Sequence, residues 1–442
     1  MSAWSLSASS RVGPDMSSGQ PIPLAEQLIA SQFSVRGADL MIGGVAARDL
    51  ADQFGTPLYV YDAGLIRRTC RDLAAALDGF AEIHFSIKAN PNPAVIAVLL
   101  EEGAGLEIAS LGEFRAALAA GADPARILFA GPGKRADEID AVVAAGIGEI
   151  HLETEEEIGR VAAAGARHGR RVAVSIRVNP VAEAQGGAMR MGGKPAPFGF
   201  DEEAIGPVVD RIMALPDLDL QGVHMFAGTQ ILDAGVLATQ WRHGLEVAAS
   251  VARHAGRPLR AIDLGGGLGI PYFTGEMALD LAHLKSEVAA LTAFKQAEPL
   301  IRDARTLIEP GRYLVGPAGV YLMAVNAAKM SRGQRFLIMD GGMHHHLAAS
   351  GNLGQIVKRD YPIVAANRMG EGAFEPAVVV GPLCTPLDTL ARKAMLPAMV
   401  ADDLIAVLQS GAYGLSASPA GFLSHPAPAE VLVDQAGARR IA

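Results

Sequence analysis

The sequence predicts an α/β protein, a closed (β/α)₈ TIM barrel followed by a mainly antiparallel β domain. Through the middle of the chain, eight short runs rich in β-branched residues alternate with alanine-rich helical stretches, which is the pattern of parallel β/α units and the strand count of the barrel. After Arg312, helical stretches become rare and short apolar runs are separated by Gly and Pro. An open doubly wound sheet is the alternative, because spacing alone does not distinguish it from a barrel.

The predicted elements follow one another in order. The barrel strands are residues 83–88, 105–109, 126–130, 149–152, 171–178, 218–225, 261–264 and 306–309. Helical patterns between them include residues 93–102, 111–120, 136–145 and 155–168. Gly103, Gly121 and Gly146 follow three of these helices, where glycine commonly ends a helix. Later strands include residues 335–339, 377–380, 404–408 and 430–433.

The change of pattern also predicts the domain boundaries. Residues 1–27 begin with a stretch rich in Ser, Gly and Pro and are predicted to be a disordered tail. Residues 58–312 are assigned to the barrel, and residues 28–57 and 313–442 to the β domain. A ninth strand-like run, residues 58–62, is placed just before the barrel, where it leads into a helix over residues 63–77.

Composition and charge argue against several classes of function. The 442 residues include 38 basic and 47 acidic side chains, a net charge of −9, which disfavours nucleic acid and anionic membranes as partners. No apolar run approaches the roughly 18–20 residues of a transmembrane helix, and no secretory signal is recognisable. Cys70 and Cys384 lie far apart, so a disulfide framework is not expected and a reducing cytoplasm fits.

Residues at the ends of the predicted strands are the first candidates for chemistry, because barrel enzymes place their sites there. Lys88 ends the first strand, where a partly desolvated lysine has a lowered pKa and can form a Schiff base with an aldehyde. A glycine-rich stretch, residues 265–269, follows the seventh strand, and the N–H groups of Gly266 and Gly267 can approach a phosphate. A surface lysine and a tight turn are the competing interpretations.

The eighth and sixth strands end in further candidates. Glu309, Gly311 and Arg312 belong to a Glu-Pro-Gly-Arg motif after the eighth strand. Glu309 can hold a pyridine nitrogen protonated, and Arg312 can pair with phosphate or carboxylate. A salt bridge between the two is the structural alternative. His224 ends the sixth strand and can stack on a flat cofactor, although a lone histidine there is more often structural.

Three motifs lie in the predicted β domain. Cys384 stands in a loop with Thr385 and Asp388, and a small buried hydrophobe is its structural interpretation. Tyr413 lies in a Gly-Ala-Tyr-Gly turn and can present its phenol to phosphate. The three histidines at 344–346 are not predicted to bind a metal, because no carboxylate or cysteine accompanies them at ligand spacing.

In this order, the motifs resemble the fold-type III pyridoxal-phosphate decarboxylases, the group of diaminopimelate, ornithine and biosynthetic arginine decarboxylases. Their barrel is of the alanine-racemase type, and the similarity covers approximately residues 58–433. It implies decarboxylation of an amino acid with pyridoxal 5′-phosphate (PLP) as the cofactor. It further implies that Lys88 forms the Schiff base, that His224 stacks on the ring and that Glu309 faces the pyridine nitrogen.

The resemblance also implies roles for the other motifs. Gly266, Gly267 and Gly311 belong to the part of the site that holds phosphate. Arg312 and Tyr413 lie near phosphate and substrate, and Thr385 and Asp388 lie near the substrate. Cys384 returns a proton to the substrate carbon after CO₂ has left, and it does so across the interface of a homodimer.

Two departures from the family pattern concern the substrate. Diaminopimelate and ornithine decarboxylases carry an acid after the cysteine, which binds the distal ammonium group; Thr385 stands here. Diaminopimelate enzymes also carry Arg and Tyr after a Gly-Gly-Met-like segment, and residues 341–350 contain neither. Since a buried charge without its partner costs several kcal/mol, we expect an amino acid with a different distal end. An aminoacyl group tethered to a carrier protein is the alternative, as in a subgroup with a Cys-Thr-Pro-Leu-Asp loop.

Three other functions compete with this prediction. A racemase of the same fold type places an arginine against the pyridine nitrogen, and Glu309 argues against it. A small non-catalytic barrel that binds the cofactor lacks a second domain, whereas about 130 residues follow Arg312 here. A nicotinamide-dependent oxidoreductase depends on residues 265–269 alone, and these lack the Gly-x-Gly-x-x-Gly spacing.

Overall fold

The computed structural model describes residues 22–181, 195–226, 228–355 and 357–442, together with the backbone of Met189–Arg190. The N-terminal segment contains α1 (Leu24–Gln32), β1 (Ser34–Arg36), β2 (Asp39–Ile42), β3 (Val45–Ala46), α2 (Ala47–Phe54) and β4 (Leu58–Asp62). The next region contains α3 (Ala63–Leu77), β5 (Glu82–Ser86), α4 (Pro93–Glu101), β6 (Gly105–Ile108), α5 (Leu111–Ala119), β7 (Ile127–Phe129), α6 (Ala136–Ala145), β8 (Glu149–Leu152), α7 (Glu155–His168), β9 (Val172–Asn179), β10 (Met189–Arg190), β11 (Phe200–Asp201), α8 (Ile205–Met213), β12 (Leu218–Met225), β13 (Gly228–Thr229), α9 (Ala234–Ala255), β14 (Ala261–Asp263), α10 (Leu281–Ala297) and β15 (Arg305–Ile308). The last region contains α11 (Arg312–Val315), β16 (Gly319–Ser331), β17 (Gln334–Met339), β18 (Ile363–Ala365), β19 (Glu375–Val380), β20 (Thr389–Leu396), β21 (Leu404–Val407), β22 (Ala429–Asp434) and β23 (Gly437–Arg440).

Eight parallel strands close into a barrel in the order β9-β12-β14-β15-β5-β6-β7-β8. The ring is closed by β8 and β9, where Ile150 pairs with Val174 and Leu152 with Ile176. The predicted barrel is therefore confirmed, and the open-sheet alternative is wrong. Closure brings the carboxyl ends of all eight strands to one rim, which is where barrel sites form.

Local signals explain why the barrel helices begin and end as predicted. The Asp62 carboxylate accepts a hydrogen bond from the Leu65 N–H at 3.1 Å, which caps the start of α3. Thr154 caps α7 in the same way through the Glu157 N–H at 3.2 Å. Gly146 ends α6 with a φ of +83°, a conformation that glycine adopts without steric cost.

The second domain is a mainly antiparallel sheet, as predicted, with two parallel pairings, β4–β22 and β17–β19. The strand Leu58–Asp62 differs from its predicted assignment to the barrel. It pairs antiparallel with β16 and parallel with β22, and is a central strand of this sheet. Its side chains are buried along almost the whole strand, and such a strand needs partners on both edges.

The N-terminal segment covers one face of this sheet. One apolar cluster joins side chains of α1, β2 and α2 to β4, β16 and β22, and it includes Leu28, Ile42, Leu50, Val60 and Val431. Residues 1–21 of the predicted tail lie outside the described residues, but α1 already begins at Leu24. Leu24 and Leu28 are buried in the cluster, so the ordered chain begins before residue 28. Among the described residues, no helix has the combination of length and apolar character needed to cross a bilayer.

Candidate active site

Lys88 lies at the rim of the barrel, in a single 3₁₀ turn, Ile87–Ala89, that follows β5. Its side chain is 45% exposed, and its Nζ lies 3.2 Å from Oε2 of Glu107, which is buried on β6. Glu107 also accepts a hydrogen bond from Ser86. The amine is thus held at the mouth of the barrel by a neighbouring strand.

The pKa of Lys88 is raised, whereas the sequence analysis predicted a lowered pKa for this lysine. Burial in the mouth lowers it, but Glu107, Tyr413 and Glu309 outweigh that effect, so the pKa of Lys88 lies above its usual range. The expectation failed because Glu107 has no sequence signal of its own and meets Lys88 only through the pairing of β5 with β6.

Glu309 follows β15 and is 5% exposed. The pKa of its carboxyl is raised by burial but lowered more strongly by His224, His151 and Lys88, and it lies below its usual range. Its Oε2 lies 3.2 Å from Nε2 of His224. Glu309 is therefore an anionic carboxylate near Lys88.

His224 is placed differently from its predicted role. It is 1% exposed, and its ring packs against that of His151, with ring centroids 4.2 Å apart. His151 thus lies against one face of the His224 ring, and the ring is closed to solvent. Two residues later, Phe226 is half-buried, and a Cβ added to Gly266 would lie 3.6 Å from its Cε2. Phe226 is thus the aromatic ring beside the glycine-rich loop.

The glycine-rich loop after β14 packs tightly against the neighbouring strand ends. Gly265 and Gly267 have φ values of +68° and +104°, and a Cβ on Gly266 would lie 2.5 Å from the carbonyl oxygen of Glu309. Only glycine fits these positions. Among the described residues, the N–H groups of Gly266 and Gly267 have no hydrogen-bond acceptor, and both residues are partly exposed. Two free donors of this kind suit a phosphate.

Arg312 is a cation without a carboxylate partner among the described residues. Its Nη1 lies 3.3 Å from the Tyr272 hydroxyl, and its guanidinium lies 4.9 Å from the centre of the Tyr413 ring. The Glu309–Arg312 salt bridge, which was the structural alternative, does not form among the described residues. Gly311 precedes Arg312, and a Cβ there would lie 3.0 Å from the Cβ of Ala89, so a glycine brings this motif close to the Lys88 turn.

Tyr413 comes from the second domain but is attached directly to the Lys88 turn. Its N–H donates to the Ala89 carbonyl at 2.8 Å, and the Asn90 side chain donates to the Gly411 carbonyl at 3.0 Å. These bonds place the phenol beside Arg312. The structure thus brings Lys88, Gly266, Gly267, Glu309, Arg312 and Tyr413 together at one mouth.

The Cys384 loop lies elsewhere in the second domain. Cys384 is a free, exposed cysteine, and Thr385 is half-buried. Asp388 is 2% exposed, and its two carboxylate oxygens accept hydrogen bonds from the Met343 N–H at 2.6 Å and the Leu383 N–H at 2.9 Å. Asp388 is therefore a buried carboxylate that ties this loop to the segment that begins at Met343.

The histidines at 344–346 are buried, and two of them have defined partners. His345 donates from Nε2 to the Pro426 carbonyl at 3.0 Å, and its Nδ1 lies 3.1 Å from the Tyr321 hydroxyl. His346 accepts from the Ala349 N–H and lies 3.0 Å from the Ser410 hydroxyl. Burial lowers the pKa of His344 and of His345 to about 4 and that of His346 to about 3, so all three are neutral at pH 7.

The sequence analysis missed several residues that surround Lys88 and Glu309: Glu107, His151, Phe226, Asp263 and Tyr272. Glu107, His151 and Asp263 are charged or polar residues within predicted strands. This position is the one feature of the sequence that could have identified them. A strand that is buried on both faces has no reason to carry such residues unless they have a partner inside.

The combined donor set fits PLP. A lysine amine at a barrel mouth, two unpaired backbone N–H groups, an arginine without a carboxylate and an anionic Glu309 match an aldehyde, a phosphate and a pyridine nitrogen. All of these groups except Glu309 are at least partly exposed at the rim. This fit comes from the geometry alone.

Comparisons with known proteins agree with this site. Residues 63–316 match a family model described as the pyridoxal binding domain of pyridoxal-dependent decarboxylases. The chain is 36% identical over 386 residues to the L-glutamyl-[BtrI acyl-carrier protein] decarboxylase of Niallia circulans, covering 87% of this chain and 90% of that one. It is 35% identical over 398 residues to the diaminopimelate decarboxylase of Methanothermobacter thermautotrophicus, covering 89% and 90%.

A solved structure shows the same architecture. The diaminopimelate decarboxylase of Helicobacter pylori, crystallised with L-lysine, superposes with a TM-score of 0.80 at 28% identity, covering 89% of this chain and 95% of that one. The protein is accordingly an amino-acid decarboxylase, a carboxy-lyase that uses PLP. This chain belongs to the fold-type III family of pyridoxal-phosphate-dependent decarboxylases.

Proposed function

We propose that this enzyme removes the α-carboxylate of an aminoacyl group whose distal end carries no free ammonium, and that a carrier protein delivers this group. The Cys384 loop carries the proposal. By the resemblance to diaminopimelate and ornithine decarboxylases, Thr385 stands where an acid follows the cysteine. Asp388, which is the acid of this loop, is 2% exposed and accepts backbone N–H groups on both oxygens. The described part of the loop therefore offers no exposed carboxylate to a distal ammonium.

The segment around the three histidines supports the same substrate class. Its side chains reach the barrel mouth through aromatic contacts. The rings of His346 and Tyr361 are 5.6 Å apart, those of Tyr361 and Tyr272 are 4.7 Å apart, and Tyr272 contacts Arg312. Because the histidines are neutral at pH 7, this connection brings no charge that would bind a charged distal end.

The proposed roles follow from the positions described above. Lys88 would hold PLP through its amine, and Glu309 would face the pyridine nitrogen and favour its protonated form. The N–H groups of Gly266 and Gly267, together with Arg312, bind the phosphate. Phe226 offers its ring beside the glycine loop, in place of the buried His224. Arg312 and Tyr413 also face the substrate.

When bound, PLP supplies the electron sink for the carbanion that loss of CO₂ leaves behind. The protein keeps that sink effective through Glu309, whose negative charge favours a protonated ring nitrogen. Cys384 returns a proton to the substrate carbon from its Sγ. Whenever the Lys88 amine is free, Glu107 would hold it at the barrel mouth as the ammonium, 3.2 Å from its Oε2.

Cys384 makes no hydrogen bond to the barrel mouth within the described chain, and we propose that it acts in the site of a second subunit. The strand β16 supports this, since its last six residues, from Asn326 to Ser331, are all exposed. Met330 is 64% exposed and Leu387, beside Cys384, is 52% exposed. A groove of about 320 Å³ runs between this strand and the Cys384 loop and includes Lys329 and Thr385. Exposed apolar side chains beside such a groove suit a homodimer interface.

We also propose a cytoplasmic location. Both cysteines are free thiols, one of them exposed, which suits a reducing compartment. Fractionation of the native host with an antibody against the chain tests this, and recovery outside the cytoplasm would contradict it.

The substrate proposal is tested by measuring CO₂ release from the purified enzyme saturated with PLP. Glutamate loaded on an acyl carrier protein is compared with free glutamate, diaminopimelate, ornithine, lysine and arginine. We expect the tethered substrate to have the highest kcat/KM. Faster turnover of free diaminopimelate would overturn the proposal.

A variant of the loop sharpens this test. Thr385→Glu restores an acid after Cys384 and is expected to raise kcat/KM for diaminopimelate about tenfold while lowering it for the tethered substrate, because one charged hydrogen bond is gained. Thr239→Glu, at an exposed position of α9, is the matched control and should change neither value. Equal effects of the two variants would show that residue 385 does not face the substrate.

The role of Cys384 has its own test. Cys384→Ala should keep bound PLP but lower kcat about a hundredfold, since a positioned proton donor is replaced by water. Cys70→Ala, which changes the buried cysteine of α3, is the control. Unchanged turnover of Cys384→Ala would refute the role.

Mixed subunits distinguish action within one chain from action across an interface. Dimers of the Lys88→Ala subunit should be inactive, and dimers of the Cys384→Ala subunit should be slow. If Cys384 acts in the partner subunit, a hybrid dimer of the two variants has one site in which both residues are intact. Equal mixing should then restore about a quarter of the wild-type activity. No recovery after verified subunit exchange would contradict the interface role.

A further inference from the structure

An exposed surface that combines cations with apolar side chains lies beside the barrel mouth, in a chain whose net charge is −9. Val357 is 75% exposed and Met277 is 73% exposed, which makes them the two most exposed large apolar side chains among the described residues. Arg359 connects them, because it follows Val357 by two residues and its Nη1 lies 3.2 Å from Glu276, the neighbour of Met277. Apolar side chains that are exposed together in this way mark a surface of interaction.

The cations of this surface come from two adjacent pairs, which Asp360 holds together. The Asp360 carboxylate accepts from the Lys393 N–H at 3.0 Å and from the Arg392 guanidinium at 3.1 Å. Two carboxylates, those of Asp360 and Glu276, thus accompany four basic side chains, and the surface keeps a positive charge. We call it the docking patch, and it consists of Met277, Val357, Lys358, Arg359, Arg392 and Lys393.

One side of the docking patch lies against the loop between β14 and α10, which borders the mouth. The guanidinium of Arg359 lies 3.6 Å from the centre of the Phe273 ring. The rings of Phe273 and Tyr272 are 6.3 Å apart. The Tyr272 hydroxyl in turn lies 3.3 Å from Nη1 of Arg312. Three successive contacts therefore connect an exposed cation of the patch to the cation inside the mouth.

The other side of the docking patch is attached to the Cys384 loop. The ammonium of Lys358 donates to the side-chain oxygen of Asn352, and the Asn352 amide donates to the Leu387 carbonyl at 3.0 Å. Leu387 belongs to the Cys384 loop and is itself 52% exposed. The patch therefore lies between the mouth and the loop that carries the proposed proton donor, where a delivered substrate has to arrive.

We propose that the docking patch binds the carrier protein that delivers the aminoacyl group. The inference rests on the proposed function, because a free amino acid is too small to need such a surface. The arm that tethers an acyl group to a carrier is attached through a phosphodiester, and Lys358 and Arg359 offer this anion charged hydrogen bonds. The body of the carrier covers Val357 and Met277, as the partner does at the apolar centre of an interface.

The test compares Lys358→Glu/Arg359→Glu with Arg253→Glu/Lys285→Glu in the full-length enzyme saturated with PLP. The control pair also consists of an exposed arginine and an exposed lysine, 3.6 Å and 3.7 Å from a carboxylate, but on α9 and α10 outside the barrel. CO₂ release is measured from two substrates. The first is glutamate tethered through its side-chain carboxyl to an acyl carrier protein, and the second is the same glutamyl group on a short thiol.

We expect Lys358→Glu/Arg359→Glu to raise KM for the tethered substrate about tenfold, because two attractive charges at the interface become repulsive. Its kcat for that substrate should stay within about twofold of the wild-type value, since the patch does not touch the reacting atoms. Both constants for the short thioester should match the wild type, because this substrate has neither arm nor carrier. The control pair should match the wild type throughout. An unchanged KM for the tethered substrate in Lys358→Glu/Arg359→Glu overturns the proposal.

Failure of the docking patch and failure of the proposed function give different results. If the wild type releases CO₂ faster from free diaminopimelate than from tethered glutamate, the proposed function fails, and the docking patch with it. If tethered glutamate is preferred but the patch variant has the wild-type KM, only the docking patch is wrong.

Two measurements cover the remaining outcomes. Light scattering shows whether a second copy of the chain occupies the patch, and a smaller assembly in Lys358→Glu/Arg359→Glu than in the wild type overturns the proposal. If this variant does not fold, the wild type decides. Its KM for the tethered substrate should rise about fivefold from low to high ionic strength, while KM for the short thioester stays constant. The absence of a salt effect on the tethered substrate also overturns the proposal.

Discussion

Two buried groups of ionisable side chains lie in the barrel domain, and they differ in how their charges are balanced. In the first, near the ends of β7, β8 and β9, Lys134 lies 3.2 Å from Glu157 and Arg177 lies 2.7 Å from Glu153. Lys134 also donates to the Gly131 carbonyl at 2.6 Å. Two cations thus face two carboxylates, with hydrogen bonds to the backbone.

The second group is the cluster of His151, His224 and the carboxylates of Glu149, Asp263 and Glu309. Three acids face two imidazoles, and the ring nitrogens of both histidines lack a well-directed hydrogen bond among the described residues. A buried arrangement of this kind costs stability unless it serves another purpose. The comparison indicates that the paired network supports the fold, whereas the unbalanced cluster supports chemistry at Lys88.

The largest expected effect tests the functional side of this comparison. Lys88→Ala removes the amine that holds PLP, so decarboxylation should fall below detection and the visible absorption of bound cofactor should be lost. The free energy of unfolding of the protein without PLP should change little, because the side chain is 45% exposed. Turnover by this variant at more than a trace would contradict the site.

The Lys134–Glu157 and Arg177–Glu153 pairs should show the opposite response, a loss of stability with little loss of activity. Lys134→Met leaves the buried carboxylate of Glu157 without its cation and should lower the free energy of unfolding by about 3–5 kcal/mol. kcat of the folded fraction should stay near the wild-type value. Urea denaturation and active-site-normalised kinetics measure both. Adding Glu157→Leu should recover part of the loss, and no recovery would argue against the pair.

Glu309→Gln tests the unbalanced cluster directly. The amide cannot hold a proton on the pyridine nitrogen by charge, so kcat should fall about a hundredfold. Stability should hold or rise, because one of three crowded carboxylates is removed. Normal turnover with lowered stability would reverse the comparison and make this cluster a structural one.

The smallest expected effect concerns His346, a buried histidine outside both groups. Burial lowers its pKa from 6.5 to about 3 in the folded protein, so the unfolded chain binds the extra proton first as pH falls. Its contribution to stability is therefore complete above about pH 6.5 and is lost as pH falls towards 3. Urea denaturation between these values should show a shallower pH dependence for His346→Gln than for the wild type. An identical pH dependence of the free energy of unfolding in the two proteins would contradict a lowered pKa of His346.

Much of the fold was predictable because its signals are local. The helices Ala63–Leu77, Ala136–Ala145 and Glu155–His168 have the bounds that caps and glycines indicated. The barrel strands lie within about two residues of their predicted positions, since buried parallel strands form continuous apolar runs. The strand Leu58–Asp62 was predicted as a strand but assigned to the barrel domain, because its pairing with β16 involves residues more than 250 positions away.

The site was predictable only in part. Strand ends and short motifs marked Lys88, Glu309, Arg312 and Tyr413, and the structure places these four residues at one mouth. His224 and Asp388 were given roles that their surroundings do not favour, since one packs on His151 and the other caps two backbone N–H groups. Burial of a particular side chain depends on its neighbours in space, which a linear pattern does not contain.

The sequence by itself determined the order and type of the elements, because hydrophobic periodicity, caps and glycines act over a few residues. The tertiary structure alone decided which polar residues meet. Glu107, His151 and Asp263 lie on three different strands, and only closure of the barrel turns them towards Lys88 and Glu309. Their charges then set one another through space, at distances that chain separation does not encode.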